Sequence, residues 1–151
     1  MEKETRHASG VAINGAGILI TGPSGSGKSD LALRLIDRGA TLISDDYVEL
    51  SRDDDHLCME APVSIAGKIE VRSLGIFNCE HVSNIPLRLQ VKLKAKTERY
   101  PMDSRTETIM KMSIPTISLN PVEASAPIKV EMVLDRLLQL SATQMPKDRS
   151  L

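Results

Sequence analysis

Eight residues, Gly22, Pro23, Ser24, Gly25, Ser26, Gly27, Lys28 and Ser29, have the types and spacing to hold phosphate. They satisfy G-x-x-x-x-G-K-[ST] at every fixed position. Glycines let backbone N–H groups turn inward around phosphate oxygens, where a Cβ would obstruct them. A helix starting at the end of the loop adds its partial positive charge. Lys28 would reach the β- and γ-phosphates of a nucleotide such as ATP, and the Ser29 hydroxyl would face Mg²⁺. The plain alternative is a Gly/Ser-rich turn that binds nothing. Such turns rarely carry Lys-Ser at this place.

A second feature is the acidic pair Asp45 and Asp46. In an open sheet, ligands gather at the carboxyl ends of strands. If the strand before this pair lies beside the strand before the phosphate loop, both carboxylates face the γ-phosphate. One can then hold Mg²⁺, and the other can take a proton from an attacking hydroxyl. On spacing alone, a solvated acidic turn is the competing reading.

The elements that must position these residues are legible in part. Residues 10–14 and 18–21 read as two short strands of a hairpin turning at 15–17. Residues 29–38 read as a helix, with Leu31, Ala32, Leu35 and Ile36 on one face and Gly39 as its stop. Thr41–Ser44 is a further strand, ended by the acidic pair. Residues 47–50 and 56–59 suggest a hairpin around the acidic run Asp53, Asp54 and Asp55. Residues 61–79 resist assignment. Residues 87–94 alternate apolar and polar, the mark of a half-buried strand. Pro115 confines any strand at 114–119 to an edge, or to a start after it. Residues 98–105 read as a loop. Residues 125–140 read as a closing helix, with Ser125 as N-cap, Pro127 in the first turn, and Val130, Val133, Leu134, Leu137 and Leu138 buried. The ends, 1–6 and 141–151, are expected to be flexible.

Composition narrows the class. One α/β domain suits 151 residues, and a net charge of −1 with no basic run leaves no footprint for nucleic acid. One Phe and no Trp provide no stacking platform, so the core must be aliphatic. Met102, Met110 and Met112 read as core or interface filler. Cys58 and Cys79 lack metal-ligand spacing and read as two reduced thiols. No signal peptide or membrane span is expected, which points to the cytoplasm.

His7, the run GILITGPSGSGKSDLALRLIDRGATLISDD and the segment IEVRSLGIFN together resemble the catalytic domain of HPr kinase/phosphorylase, in particular short single-domain versions without the N-terminal domain. The likeness runs from residue 7 to about 140 and is strongest at 17–46 and 69–78. The resemblance implies a P-loop nucleotide-binding fold of the HPr kinase/PEP carboxykinase type, a central mixed sheet with flanking helices. It implies Mg·ATP-dependent phosphorylation of a serine of the phosphocarrier HPr, with phosphorolysis as the reverse activity, and a hexamer. On the matching positions, Lys28 and Ser29 are the loop's Lys and Mg²⁺-binding Ser. Asp46 is base and acid, with Asp45 beside it. His7 interacts with that aspartate, Glu70 is Mg²⁺-associated, and Arg99 aligns with an active-site arginine.

Without the resemblance, His7 reads as a surface histidine, Arg99 as a loop charge, and Glu70 as half of an ion pair with Arg72. Two departures stand out. Ser73 replaces a glycine usual in the longer enzymes, and the loop NPVEASAP at 120–127 lacks the arginine and glycine linked to dephosphorylation. A non-catalytic ATP-binding sensor and a P-loop small-molecule kinase remain the alternatives.

Overall fold

The computed structural model describes residues 2–96 and 105–143. Arg99, Met102, the loop expected at 98–105 apart from its last residue, and the tail beyond 143 lie outside the described residues.

Among the described residues, nine strands form one mixed sheet built around β9 (Ile85–Leu93). On one side β9 runs parallel to β3 (Ala16–Thr21). On its other side, its first residues pair antiparallel with β6 (Leu57–Glu60) and its last ones parallel with β11 (Met112–Leu119). Three paired strands and core clusters that both include its residues explain why β9 is more buried than its alternation predicts. Even the polar Gln90 is inside, its amide donating to Glu107 and to Thr116 Oγ1, each at 3.1 Å. Pro115 lies inside β11, which starts before it at Met112 and pairs with two strands: Pro115 faces Thr106 of β10 (Thr106–Ile109), and pairing with β9 begins only after it, at Thr116.

Beyond β3 lie β2 (Ser9–Ile13) and then β4 (Thr41–Ser44), so β4 is not beside β3. Ser9 to Ala12 of β2 are buried, and buried backbone must pair on both edges. Because β2 is antiparallel to both neighbours, β3 and β4 still run the same way. Their carboxyl ends therefore open on one edge. The β2–β3 turn is Asn14 and Gly15, with φ of 49° and 79°, the two-residue turn that matches strand twist. Ala16 and Gly17 belong to the strand. A Cβ on Gly17 would lie 2.6 Å from Met59 Sδ and 2.8 Å from the Pro86 carbonyl oxygen, so the sheet passes there only with glycine.

Both helices cover one face. Leu31, Ala32 and Leu35 of α1 (Lys28–Asp37) and Ala126, Val130 and Leu134 of α2 (Ala126–Thr143) share a core with Ile18, Ile20, Leu89 and Val91. Arg38 and Glu131 tie the helices at 2.8 Å. Ile36, Val133 and Leu137 are only partly buried, and Leu138 is exposed, contrary to expectation. Leu138 falls at the border of the stripe through Val130, Leu134 and Leu137.

The second face is closed by strands instead of helices. The 47–59 hairpin forms as β5 (Tyr47–Arg52) and β6, and Val48, Leu50, Leu57 and Met59 pack on Leu19 and Ile43. Met110 and Met112 lean on this cluster.

Two segments differ from expectation. Residues 2–7 are not loose: β1 (Glu2–His7) pairs along all of β5. Its charged alternation suits an edge strand that must not recruit another strand. Residues 61–79 hold a 3-10 turn at Val63–Ile65 and a separate hairpin, β7 (Lys68–Val71) and β8 (Gly75–Asn78). Only Ile69 of this hairpin is buried, and Leu74, Ile76 and Phe77 are exposed, which is why no periodicity marks it.

Candidate functional site

The phosphate loop turns between the end of β3 and the start of α1. Gly25 and Gly27 adopt φ of 78° and 102°, conformations closed to most side chains. Pro23, Ser24 and Gly25 form an exposed rim. Inside it, Lys28 is buried, and its Nζ donates to the carbonyls of Gly22 at 2.9 Å and Pro23 at 3.1 Å. A Cβ on Gly22 would sit 2.6 Å from Ser26 Oγ, and that hydroxyl is itself buried without a hydrogen-bond partner.

Asp45 is 4% exposed and receives three donors. Ser29 Oγ and Ser9 Oγ donate to its Oδ1 at 2.7 and 2.8 Å, and the Glu70 backbone N–H donates to Oδ2 at 3.0 Å. Nearby, the Cys79 thiol is pushed above its ordinary pKa, first by burial and then by the Asp45 charge. It stays protonated at neutral pH, in keeping with an inert thiol.

Asp46 is turned the other way. Its φ is 71°, a left-handed conformation that aspartate tolerates better than most residues. Its carbonyl accepts the Ala8 N–H at 3.1 Å, and its side chain is 64% exposed. His7 Nε2 lies 3.1 Å from Asp46 Oδ1 across 39 residues of chain. The two carboxylates therefore do not converge on one point: one is fixed under Ser29, the other stands at the surface with His7.

Beside the loop opens a cleft of about 630 Å³. Thr21, Gly22, Pro23 and Ser26 form one wall, the end of β9 with Lys92 and Lys94 another, and Asn120, Pro121 and Val122 a third. Arg34 of α1 fixes the third wall, donating to the carbonyls of Pro121 at 2.5 Å and Glu123 at 3.2 Å. Lys92 is engaged by Glu107, whose carboxyl it holds below the usual range through their hydrogen bond.

The expected residues thus meet with differences. Lys28, Ser29 and Asp45 come together, as do Asp46 and His7. Glu70 joins through its amide; its side chain is exposed and forms no ion pair with Arg72. Ser9, Arg34 and Tyr47 went unnoticed in the sequence. Ser9 has no motif, and only the pairing of β2 with β4 brings it to Asp45.

The donor set fits a magnesium nucleotide. A hydroxyl and a buried carboxylate at a helix start, with a buried ammonium in the loop, suit Mg²⁺ shared with phosphate oxygens. Magnesium needs no all-protein cage. Among the described residues, no group of three or more His, Cys, Asp or Glu could hold a metal.

The family model for the HPr Serine kinase C-terminal domain matches residues 1–145. The chain belongs to this family. Family members similar to it include the HPr kinase/phosphorylase of Latilactobacillus sakei subsp. sakei (strain 23K), 30% identical over 93% of this chain and 47% of the relative. That of Azoarcus sp. (strain BH72) is 34% identical over 92% of this chain and 50% of the relative. The chain spans about half the length of these curated relatives. Among solved structures, the Hpr(Ser) kinase/phosphatase from Coxiella burnetii superposes with a TM-score of 0.78, 29% identity, and coverage of 93% of this chain and 94% of that one. The HPr serine kinase fold is thus the fold described above. No helix among the described residues is long and apolar enough to cross a membrane.

Proposed function

We propose that this HPr serine kinase domain is a Mg·ATP-dependent protein kinase that phosphorylates a serine of the phosphocarrier HPr in the cytoplasm. One observation carries the reading: the phosphate loop's Ser29 is bonded to the buried Asp45, while the adjacent Asp46 stands exposed beside His7. A site with one fixed and one reachable carboxylate suits transfer to a bulky acceptor. The names of its relatives, HPr kinase/phosphorylase, supply the acceptor.

Lys28 and backbone N–H groups of the loop after Pro23 would hold the β- and γ-phosphates, and the 630 Å³ cleft beside them offers room for the nucleoside. Ser29, Asp45 and the Glu70 carboxylate would hold Mg²⁺, which when bound neutralises charge on the phosphates. Asp46 would take the proton of the seryl hydroxyl as its oxygen bonds to the γ-phosphorus and the bond to ADP breaks. His7 holds the Asp46 carboxylate toward that hydroxyl, and Arg99 would neutralise the moving phosphoryl group. In the reverse direction Asp46 would act as acid. The loop at 120–127 contains no arginine, so phosphorolysis is the weaker half of the cycle in this reading. A homo-oligomer, hexameric by family resemblance, completes the proposal, and light scattering checks it.

The test is a mass measurement on HPr after incubation with the protein and Mg·ATP, with Lys28→Ala as control. A phosphate-sized gain on a serine, absent in the control, is the expected result. Bound ATP with no transfer would leave a nucleotide sensor.

A further inference from the structure

Tyr47 is 45% exposed, one of only three aromatic Phe, Tyr or Trp residues in the chain, and it follows Asp46 directly. An aromatic ring left in solvent gives up its burial energy, so its neighbours matter. Tyr47 is the β5 residue paired with His7 of β1. The two rings lie 5.2 Å apart between centroids, with planes 39° apart. The tyrosine's backbone is held on both sides: its N–H donates to the Asp45 carbonyl at 2.8 Å, and its own carbonyl accepts the Ser44 hydroxyl.

His7 itself is loosely held. Its side chain is 42% exposed, and it closes β1 at the edge of the sheet. A half-exposed imidazole has several rotamers open to it. The one seen here reaches Asp46 at 3.1 Å, and in it the imidazole lies against the Tyr47 ring.

We infer that Tyr47 is a positioning residue: its ring keeps the His7 imidazole turned toward Asp46, and it acts through His7 instead of touching the acceptor. The inference rests on the kinase reading above. An aromatic pair of this kind shifts a rotamer population about two- to tenfold, which sets the size of the effect.

The experiment compares Tyr47→Ala, Tyr47→Phe, His7→Ala and the double variant His7→Ala/Tyr47→Ala. Transfer to HPr is followed with kcat and KM for ATP separated. Tyr47→Ala lowers kcat about two- to tenfold and leaves KM for ATP unchanged, while Tyr47→Phe restores kcat. In the His7→Ala background, removing the ring costs nothing further. An equal loss in both backgrounds would mean that the ring meets the acceptor, and the inference would fall. Should Tyr47→Ala not fold, Tyr47→Leu takes its place, removing the ring while keeping apolar bulk. A second readout needs no activity: the imidazole signals of His7, identified by their disappearance in His7→Ala, move in Tyr47→Ala and stay in Tyr47→Phe. If the parent protein does not phosphorylate HPr, the kinase reading has failed. The imidazole signals then decide alone, and unchanged signals in Tyr47→Ala overturn the inference.

Discussion

Asp45 and Asp46 are neighbours in the chain and opposites in the structure. The first closes β4 inside the molecule, 4% exposed and fastened by two hydroxyls and an amide. The second begins the edge formed by β1 and β5, with a left-handed backbone and a half-exposed histidine as its partner. On the proposed kinase reading, the difference lets one site meet two demands. A group that shapes a metal and phosphate site works best if it is fixed before the ligand arrives, because the ordering is then already done. A group that must meet a hydroxyl carried by another protein has to stay reachable. The positive φ of Asp46 turns the two carboxylates apart within a single residue step.

The sharpest way to break this contrast is Asp46→Asn. It should lower transfer to HPr by roughly 10²–10⁴-fold, the range for a lost general base, while nucleotide affinity, read by calorimetry, stays nearly unchanged. Loss of nucleotide binding as well would mean that the two carboxylates are one unit.

Asp45→Ala should act on the fold as well as the site. It leaves the Ser9 and Ser29 hydroxyls and the Glu70 amide without their acceptor. A loss of about 2–3 kcal/mol in denaturant unfolding is expected for such stranded donors. The same change removes a negative charge beside Cys79, so the thiol's pKa falls and its alkylation near pH 8 accelerates. Unchanged alkylation would place the Asp45 charge too far away to be felt.

The smallest effect belongs to the hairpin that leans on Asp45. Ser73 has φ of 73°, strained like Asp46, but no hydrogen bond joins it to the site. Ser73→Gly should gain about 0.5–1 kcal/mol by relieving a left-handed residue, seen as a higher melting temperature with transfer retained. A loss of transfer would show that strain matters in the hairpin too.

Ser73 also illustrates what was legible. Its departure from the family's usual glycine is visible in the sequence, but only the structure shows that the backbone there takes a glycine-like conformation. The strands at 41–44 and 47–59 and both helices follow from periodicity and stop signals. The strand at 2–7 does not, because a polar edge strand has no apolar face to announce it. The hairpin at 68–78 escapes for a similar reason, since Ile69 is its only buried residue. Leu138 shows the reverse error: an apolar residue at the margin of a helical stripe reads as core, but it is exposed.

By itself, then, the sequence determined the phosphate loop, the helix that follows it and the acidic pair. Each is a local arrangement within a few residues, where spacing dictates geometry. Only the tertiary structure decided that β2 lies between β3 and β4, that Ser9 and the Glu70 amide secure Asp45, and that β1 carries His7 to Asp46 across 39 residues. Those contacts depend on which strands pair. Pairing is settled by burial over the whole sheet, and no short stretch of sequence contains that information.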